Sequence, residues 1–161
     1  MRSPCVIGFV TVLISVVGAA LGKVTHLTAS DRAALENPRS VQLLNSTRDI
    51  PEAVKSACAS VISDHRFWLA DPGKPFNATD VGPDDRIPNR RLLWAARLPE
   101  YFVVHYESGG FAHGFHVIVV RLDGARTRVV WRAAAAEYKD YSVFVRALKA
   151  NKPDDTLDYM F

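Results

Sequence analysis

The chain has 161 residues, 48% of them hydrophobic, and its formal net charge at pH 7 is +3. Charges of both signs are interspersed along it, so neither nucleic acid nor an acidic membrane surface is a predicted partner. With only 2 cysteines, the fold must depend on an ordinary hydrophobic core, for which the chain is long enough.

Residues 1–22 have the pattern of a secretory signal peptide. Arg2 precedes an uncharged run with an apolar centre, and small residues follow where a signal peptidase would cut. An uncleaved membrane anchor is the alternative, because such a run is just long enough to span a bilayer as a helix. In both interpretations residues 23–161 lie outside the cytoplasm, and we expect a periplasmic or secreted protein. Cleavage would also remove Cys5 and leave Cys58 without a disulfide partner.

The first predicted elements are helical. Residues 23–48 are expected to form a lead-in segment with a short helix over 30–36. A stronger helix is predicted over 50–65, with Asp49 as its N-cap and one apolar stripe along it. Cys58 belongs to that stripe, which favours a core role over a reactive thiol. Two short strands, over 67–70 and 76–81, and a loop over 82–89 then follow from the density of Pro, Gly and Asp.

Four longer strands are predicted over residues 92–98, 101–107, 113–122 and 127–134. Turn residues separate them, so there is no room for crossover helices and the sheet is expected to be an antiparallel meander. Residues 140–151 predict a final helix, although their alternation leaves a strand open as the alternative. The predicted fold class is therefore α+β. We expect one domain over 49–161, a sheet of about four to six strands, one helix before it and one after it, both on one face.

One predicted hairpin brings together side chains that can carry chemistry. If Glu107 pairs with Phe111, then His105 lies opposite His113, and alternation places Glu107 on the same side. Two imidazoles and a carboxylate can hold Zn²⁺ with an open position, or act as a general acid and base. No other cofactor is expected. A shift of one residue would send His105 to the other face, so an ordinary sheet-surface cluster stays open as an alternative.

A basic segment enters the first of the four strands. Arg86, Arg90, Arg91 and Arg97 are interleaved with Trp94 and form a candidate binding face for an anionic ligand or a glycan, next to the 82–89 loop. Alternation predicts that Arg91 and Arg97 lie on the side of the strand opposite Trp94. That arrangement is also typical of a solvated face above a core face.

Three stretches carry a resemblance: LADPGKPFNATD at 69–80, RRLLWA at 90–95, and HYESGG at 105–110 with His113. In them the chain resembles small exported bacterial proteins of unassigned function. The resemblance implies a bacterial extracytoplasmic protein and supplies no activity and no functional residue.

No catalytic motif is identified, so we expect an exported, non-enzymatic binding or inhibitor-type domain. Its partner would be an extracytoplasmic protein or a small ligand. One alternative is an exported metal-binding protein or hydrolase that uses His105, Glu107 and His113. Another is a membrane-tethered accessory subunit, if the N-terminal segment is retained.

Overall fold

The structure is a computed structural model that describes residues 26–124 and 126–156. The signal peptide or anchor predicted over 1–22 lies outside the described residues. Within the described ranges, no helix is both long enough and apolar enough to cross a membrane.

A five-stranded antiparallel sheet with strand order β1-β2-β3-β4-β5 forms the centre of the fold. The meander and the α+β class predicted from the sequence are confirmed. β1 had not been predicted, and it pairs with β2 from within the expected lead-in segment. The strands are β1 (Gln42–Leu44), β2 (Arg90–Arg97), β3 (Tyr101–Ser108), β4 (Gly114–Asp123) and β5 (Arg126–Ala135).

Three α-helices are described, α1 (Ala29–Glu36), α2 (Glu52–Ala59) and α3 (Tyr141–Lys149), and a short 3-10 helix (Thr47–Asp49) lies between β1 and α2. Two of the α-helices have a side-chain N-cap. Thr28 accepts a hydrogen bond from the Asp31 amide of α1, and Asp140 accepts one from the Val143 amide of α3. The final helix predicted from the sequence is thus confirmed over its strand alternative.

Two sequence predictions about local structure were wrong. The helix predicted over 50–65 ends at Ala59, after which the Val61 amide donates to the Cys58 carbonyl in a tighter turn and the α-helical ladder does not continue. Ile62 therefore reaches the core from a turn. The strand pair predicted over 67–70 and 76–81 is also absent from the described structure, where only Ala70 forms an isolated bridge.

The helices cover both faces of the sheet, so the prediction that they share one face was also wrong. α1 and α3 pack on what we call the α3 face, with Trp94 and Val103, and α2 packs on the opposite α2 face with Phe102. The reason lies in the central strands, whose consecutive residues Phe102 and Val103 are both fully buried. A strand that is apolar on both sides needs cover on both sides.

One extra residue in β2 changes which side chains face which helix. Leu92 lies opposite Tyr106 and Trp94 opposite His105, so Leu93 is a β-bulge without a partner position. Leu92 consequently packs on the α2 face and Trp94 on the α3 face. Simple alternation had placed these two side chains on the same face.

Candidate functional site

His105 lies at the middle of β3 on the α3 face, completely buried. Its Nδ1 is 2.9 Å from the carbonyl oxygen of His116 and so donates to it. Its Nε2 accepts a hydrogen bond of 3.1 Å from the backbone N–H of Tyr138. Burial lowers the pKa of His105 to about 4, against the weaker opposing effects of the His116 carbonyl and of Glu107. The ring is therefore neutral at pH 7, with both nitrogens occupied by the backbone.

The predicted register of the hairpin was wrong. Glu107 pairs with Phe115 and His105 with Val117, so His105 and His113 are not opposite each other. The cause is the connection, which spans residues 109–113 and is longer than the Ser-Gly-Gly turn assumed from the sequence. His113 belongs to this loop and not to a strand.

Glu107 and His113 do meet, at the base of the loop. The Nε2 atom of His113 is 2.8 Å from a carboxylate oxygen of Glu107, and the other oxygen accepts from Nε of Arg91 at 2.7 Å. Arg91 also stacks on the ring of Phe76. Arg91 already pairs with the Glu107 carboxylate, and backbone groups occupy both ring nitrogens of His105. The three predicted ligands are therefore not available together to one metal ion. No group of three potential ligands that could hold a metal occurs in the part of the chain that the structure describes.

The four arginines of the predicted binding face are dispersed. Arg86 forms an ion pair with Asp84, and Arg90 forms one with Asp64. Arg91 lies with Glu107 on the α3 face, whereas Arg97 is exposed on the α2 face. The prediction that Arg91 and Arg97 share a side was wrong, because the bulge in β2 lies between them.

A Ser–His pair lies on the α2 face and had not been identified from the sequence. The Ser108 hydroxyl is 2.7 Å from Nε2 of His116, whose pKa is lowered to about 4 by burial first and by the nearby charge of Arg90 second. Such a contact can activate a serine. Here His116 is only 1% exposed. The amide of Gly109, next after Ser108, already donates to the Asn89 carbonyl. The amide that would stabilise an oxyanion is thus in use, and the pair has the geometry of a structural hydrogen bond.

The Cys58 thiol is completely buried under α2. Burial raises its pKa to about 12, so it stays protonated and unreactive at neutral pH. This agrees with the core role that its position on the apolar stripe favoured.

Two loops at one end of the sheet form the most exposed apolar feature of the described residues. Val81, in the loop 77–89, is 85% exposed, and Phe111, in the loop 109–113, is 97% exposed. We call these two loops together the loop edge. The sequence had singled out residues 82–89 but not Phe111, whose only signal was an aromatic side chain within a glycine-rich turn.

Asn77 holds the first loop in shape. Its side-chain amide nitrogen lies 3.0 Å and 3.1 Å from the carbonyls of Asp84 and Ile87, and 2.9 Å from the side-chain oxygen of Asn89. Its side-chain oxygen accepts from the amide of Asp84 at 2.9 Å. The side chain of Asn77 thus satisfies backbone groups of the loop that would form backbone–backbone hydrogen bonds in a β-sheet.

The two loops are in direct backbone contact. The amide of Gly109 donates to the Asn89 carbonyl at 2.9 Å. A Cβ at Gly109 would overlap the carbonyl oxygen of Asn77 and the backbone of Ala78, so only glycine permits this approach. The loop 109–113 is also fixed on each side, by the hydrogen bond of Ser108 just before it and by that of His113 at its end. The loop edge is therefore one joined surface.

Comparisons with protein-family models, with curated proteins and with solved structures found no match to this chain. The fold alone defines its class: an α+β protein with a five-stranded antiparallel meander covered by helices on both faces.

Proposed function

We propose that the protein is an extracytoplasmic binding module that recognises another protein through the loop edge. The observation that carries this proposal is Phe111, an aromatic side chain 97% exposed on a loop whose backbone is fixed at both ends. The extracytoplasmic location is supported by the signal-like pattern of residues 1–22.

An aromatic side chain that stays in water adds no burial energy to folding, and a partner that covers it gains that energy on binding. Most large apolar side chains of the described residues are buried, and the two that are most exposed, Val81 and Phe111, belong to loops in contact. Aromatic residues at the centre of an interface commonly supply much of the binding energy. Because Asn77 and Gly109 already fix the backbone, little conformational entropy would be lost on binding.

The charges beside Val81 indicate the chemistry of the partner. Asp80 and Asp85 are exposed, and among the described residues their side chains have no hydrogen-bond or ion-pair partner, while Asp84 is neutralised by Arg86. An apolar tip beside two free carboxylates fits an apolar pocket bordered by basic groups. The same carboxylates would be repelled by an anionic lipid surface. These charges favour a protein over a membrane as the partner.

A pair of photo-crosslinking positions tests the proposal. A photoreactive amino acid would replace Phe111 in one protein and Leu43 of β1 in a matched control, because Leu43 is also an exposed apolar residue. Both proteins would be exposed to the extracytoplasmic fraction of the source cells. We expect a protein that is crosslinked at position 111 and not at position 43.

The captured protein would then be purified and titrated against variants. Phe111→Ser should weaken binding by about 30-fold and Val81→Ser by about fivefold, as expected for a central and a peripheral interface residue. Leu43→Ser should leave the affinity unchanged. Equal crosslinking at both positions, or unchanged affinity of Phe111→Ser, would contradict the proposed function.

A further inference from the structure

The connection between β5 and α3 is fastened to the sheet through His105. The backbone N–H of Tyr138 donates to Nε2 of His105 at 3.1 Å, and the Tyr138 carbonyl accepts from Nε1 of Trp94 at 2.7 Å. The Tyr138 ring also stacks on the imidazole, with ring centres 5.3 Å apart. Tyr138 therefore covers both Trp94 and His105.

We propose that His105 is an acid-sensitive latch, whose protonation releases the connection 136–140 from the sheet. The other ring nitrogen, Nδ1, already donates to the His116 carbonyl, so Nε2 must be the atom that accepts the proton. Once protonated, Nε2–H would point at the N–H of Tyr138. Two donors would then face each other in a buried site, and the hydrogen bond that holds the connection would be lost.

The direction of the pH dependence follows from burial. Desolvation lowers the pKa of His105 from 6.5 to about 4 in the closed structure, so the closed form resists protonation. Once the connection has opened, the imidazole is in water and regains its ordinary pKa. The open form then binds the proton more tightly, and acid shifts the equilibrium towards it between pH 6.5 and about 4.

The charges around His105 do not prevent this opening. On its own strand Glu107 favours the protonated ring, but its carboxylate is shared with Arg91 and His113, and desolvation outweighs it. On α3, Phe144 and Tyr141 contribute aromatic rings to the surrounding cluster. Further titratable groups on the elements packed around His105 include His116 of β4, Glu137, Tyr138 and Lys139 of the connection, and Asp140 at the start of α3.

Opening would change the surface of the protein locally. The Tyr138 carbonyl would leave Trp94 and the Tyr138 ring would leave His105, which would expose the Trp94 and His105 rings next to the bulge at Leu93. α3 begins at Asp140, so its first turn is the helical segment nearest to the latch. This behaviour is independent of whether the loop edge binds a partner.

Hydrogen exchange measured by NMR tests the latch. The protection factor of the Tyr138 amide should fall by about tenfold between pH 7.5 and pH 5.5, as calculated from the open and closed pKa values of His105. The amides of β3, which pair on both sides, should lose much less protection. In the matched variant His105→Gln, which keeps a donor and an acceptor but cannot titrate, the protection of Tyr138 should not depend on pH.

Three results would overturn the proposal: unchanged protection of Tyr138 at pH 5.5, an equal loss in all β3 amides, or the same loss in His105→Gln. If His105→Gln does not fold, NMR titration of the wild-type imidazole decides. The latch requires the amide shift of Tyr138 to follow the titration of His105, and a shift that stays constant through that titration would refute it.

Discussion

Two of the regions that expose apolar side chains in the described structure, β1 and the loop edge, differ in how their backbones are held. In β1, a three-residue strand that pairs with β2 on one side, Leu43 is 50% exposed; Val41, just before the strand, is 38% exposed. At the loop edge, Val81 and Phe111 are 85% and 97% exposed on irregular backbone. The side chains that are least covered therefore lie on the loops and not on the regular strand.

This difference is the reason that we propose the loop edge, and not β1, as the binding region. A short edge strand with partly covered side chains is a common way for a sheet to end without inviting further pairing. In the loop edge, the hydrogen bonds of the Asn77 side chain and the close approach of Gly109 to the backbone of Asn77 and Ala78 hold the backbone of both loops. These loops carry the two most exposed apolar side chains. The side chains of Val81 and Phe111 contribute little burial energy to the free protein, which is why we propose the loop edge as the binding region.

The largest expected effect is a loss of stability in acid, to which the base of the loop edge contributes and β1 does not. His116 bonds Ser108 at the base of the loop edge, whereas β1 contains no titratable side chain. Because burial lowers the pKa of His116 from 6.5 to about 4, its contribution to stability is complete above pH 6.5 and is lost as the pH falls towards 4. Urea unfolding at pH 7.5 and 4.5 should show a loss of about 2.5 kcal/mol from this group.

The variant His116→Phe provides the comparison for the acid effect. It keeps a ring against Tyr106 and removes the titrating group, so its acid loss should be smaller than that of the wild type by the same amount. Leu43→Ser should follow the wild type. An equal acid loss in His116→Phe and the wild type would show that other groups cause it.

Asn77→Ala should remove the hydrogen bonds that hold the loop 77–89 and leave the contacts of β1 unchanged. The variant leaves the carbonyls of Asp84 and Ile87 and the amide of Asp84 without their partner, at a cost of about 2 kcal/mol in the free energy of unfolding. Asn45→Ala is the control, because Asn45 is an exposed asparagine close to β1. In urea unfolding, the free energy of unfolding of Asn45→Ala should stay within about 0.5 kcal/mol of the wild type. Similar stabilities would contradict the role of Asn77.

Two neighbouring glycines test the contact between the loops. Gly109→Ala forces a Cβ against the backbone of Asn77 and Ala78, and overpacking of this kind costs about 2 kcal/mol. Gly110→Ala meets no atom, although its φ of +105° adds strain of about 1 kcal/mol. The melting temperature of Gly109→Ala should therefore be lower than that of Gly110→Ala. The reverse order would mean that the loops do not touch as described.

Phe111→Ser should have the smallest effect on stability. The side chain is almost entirely in water, so the free energy of unfolding should change by less than about 0.5 kcal/mol. Phe102→Ser, in the buried core of the same sheet, should lose more than about 3 kcal/mol in the same urea titration. A large loss in Phe111→Ser would place this ring against the body of the protein and remove it as a binding residue.

The sequence predicted the fold better than the site. The four long strands and α3 were predictable because turn residues and apolar runs are local signals, and β3 is found within one residue of its predicted end. The prediction that the helices share one face was wrong, although the near-continuous apolar run of β3 is typical of a strand that is covered on both sides. The short β1 carries three residues, too few to show a period.

The site depended on features that local patterns do not contain. The bulge at Leu93 reversed the sides of the arginines, and the loop 109–113 moved the partner of Glu107 from Phe111 to Phe115. The acceptors of Asn77 lie up to 12 residues away, and the amide bound by His105 lies 33 residues away. Such contacts form only when the chain has folded, so spacing along the sequence could not reveal them.

The backbone order of the loop edge in the free protein tests the central claim most directly. We would measure NMR order parameters for the amides of residues 78–82 and 110–112, with those of β1 as a reference. A preformed binding surface predicts values near those of rigid backbone, about 0.8, in both loops. Values below about 0.6 in either loop would show a flexible segment and would contradict the assignment of the loop edge as a built binding surface.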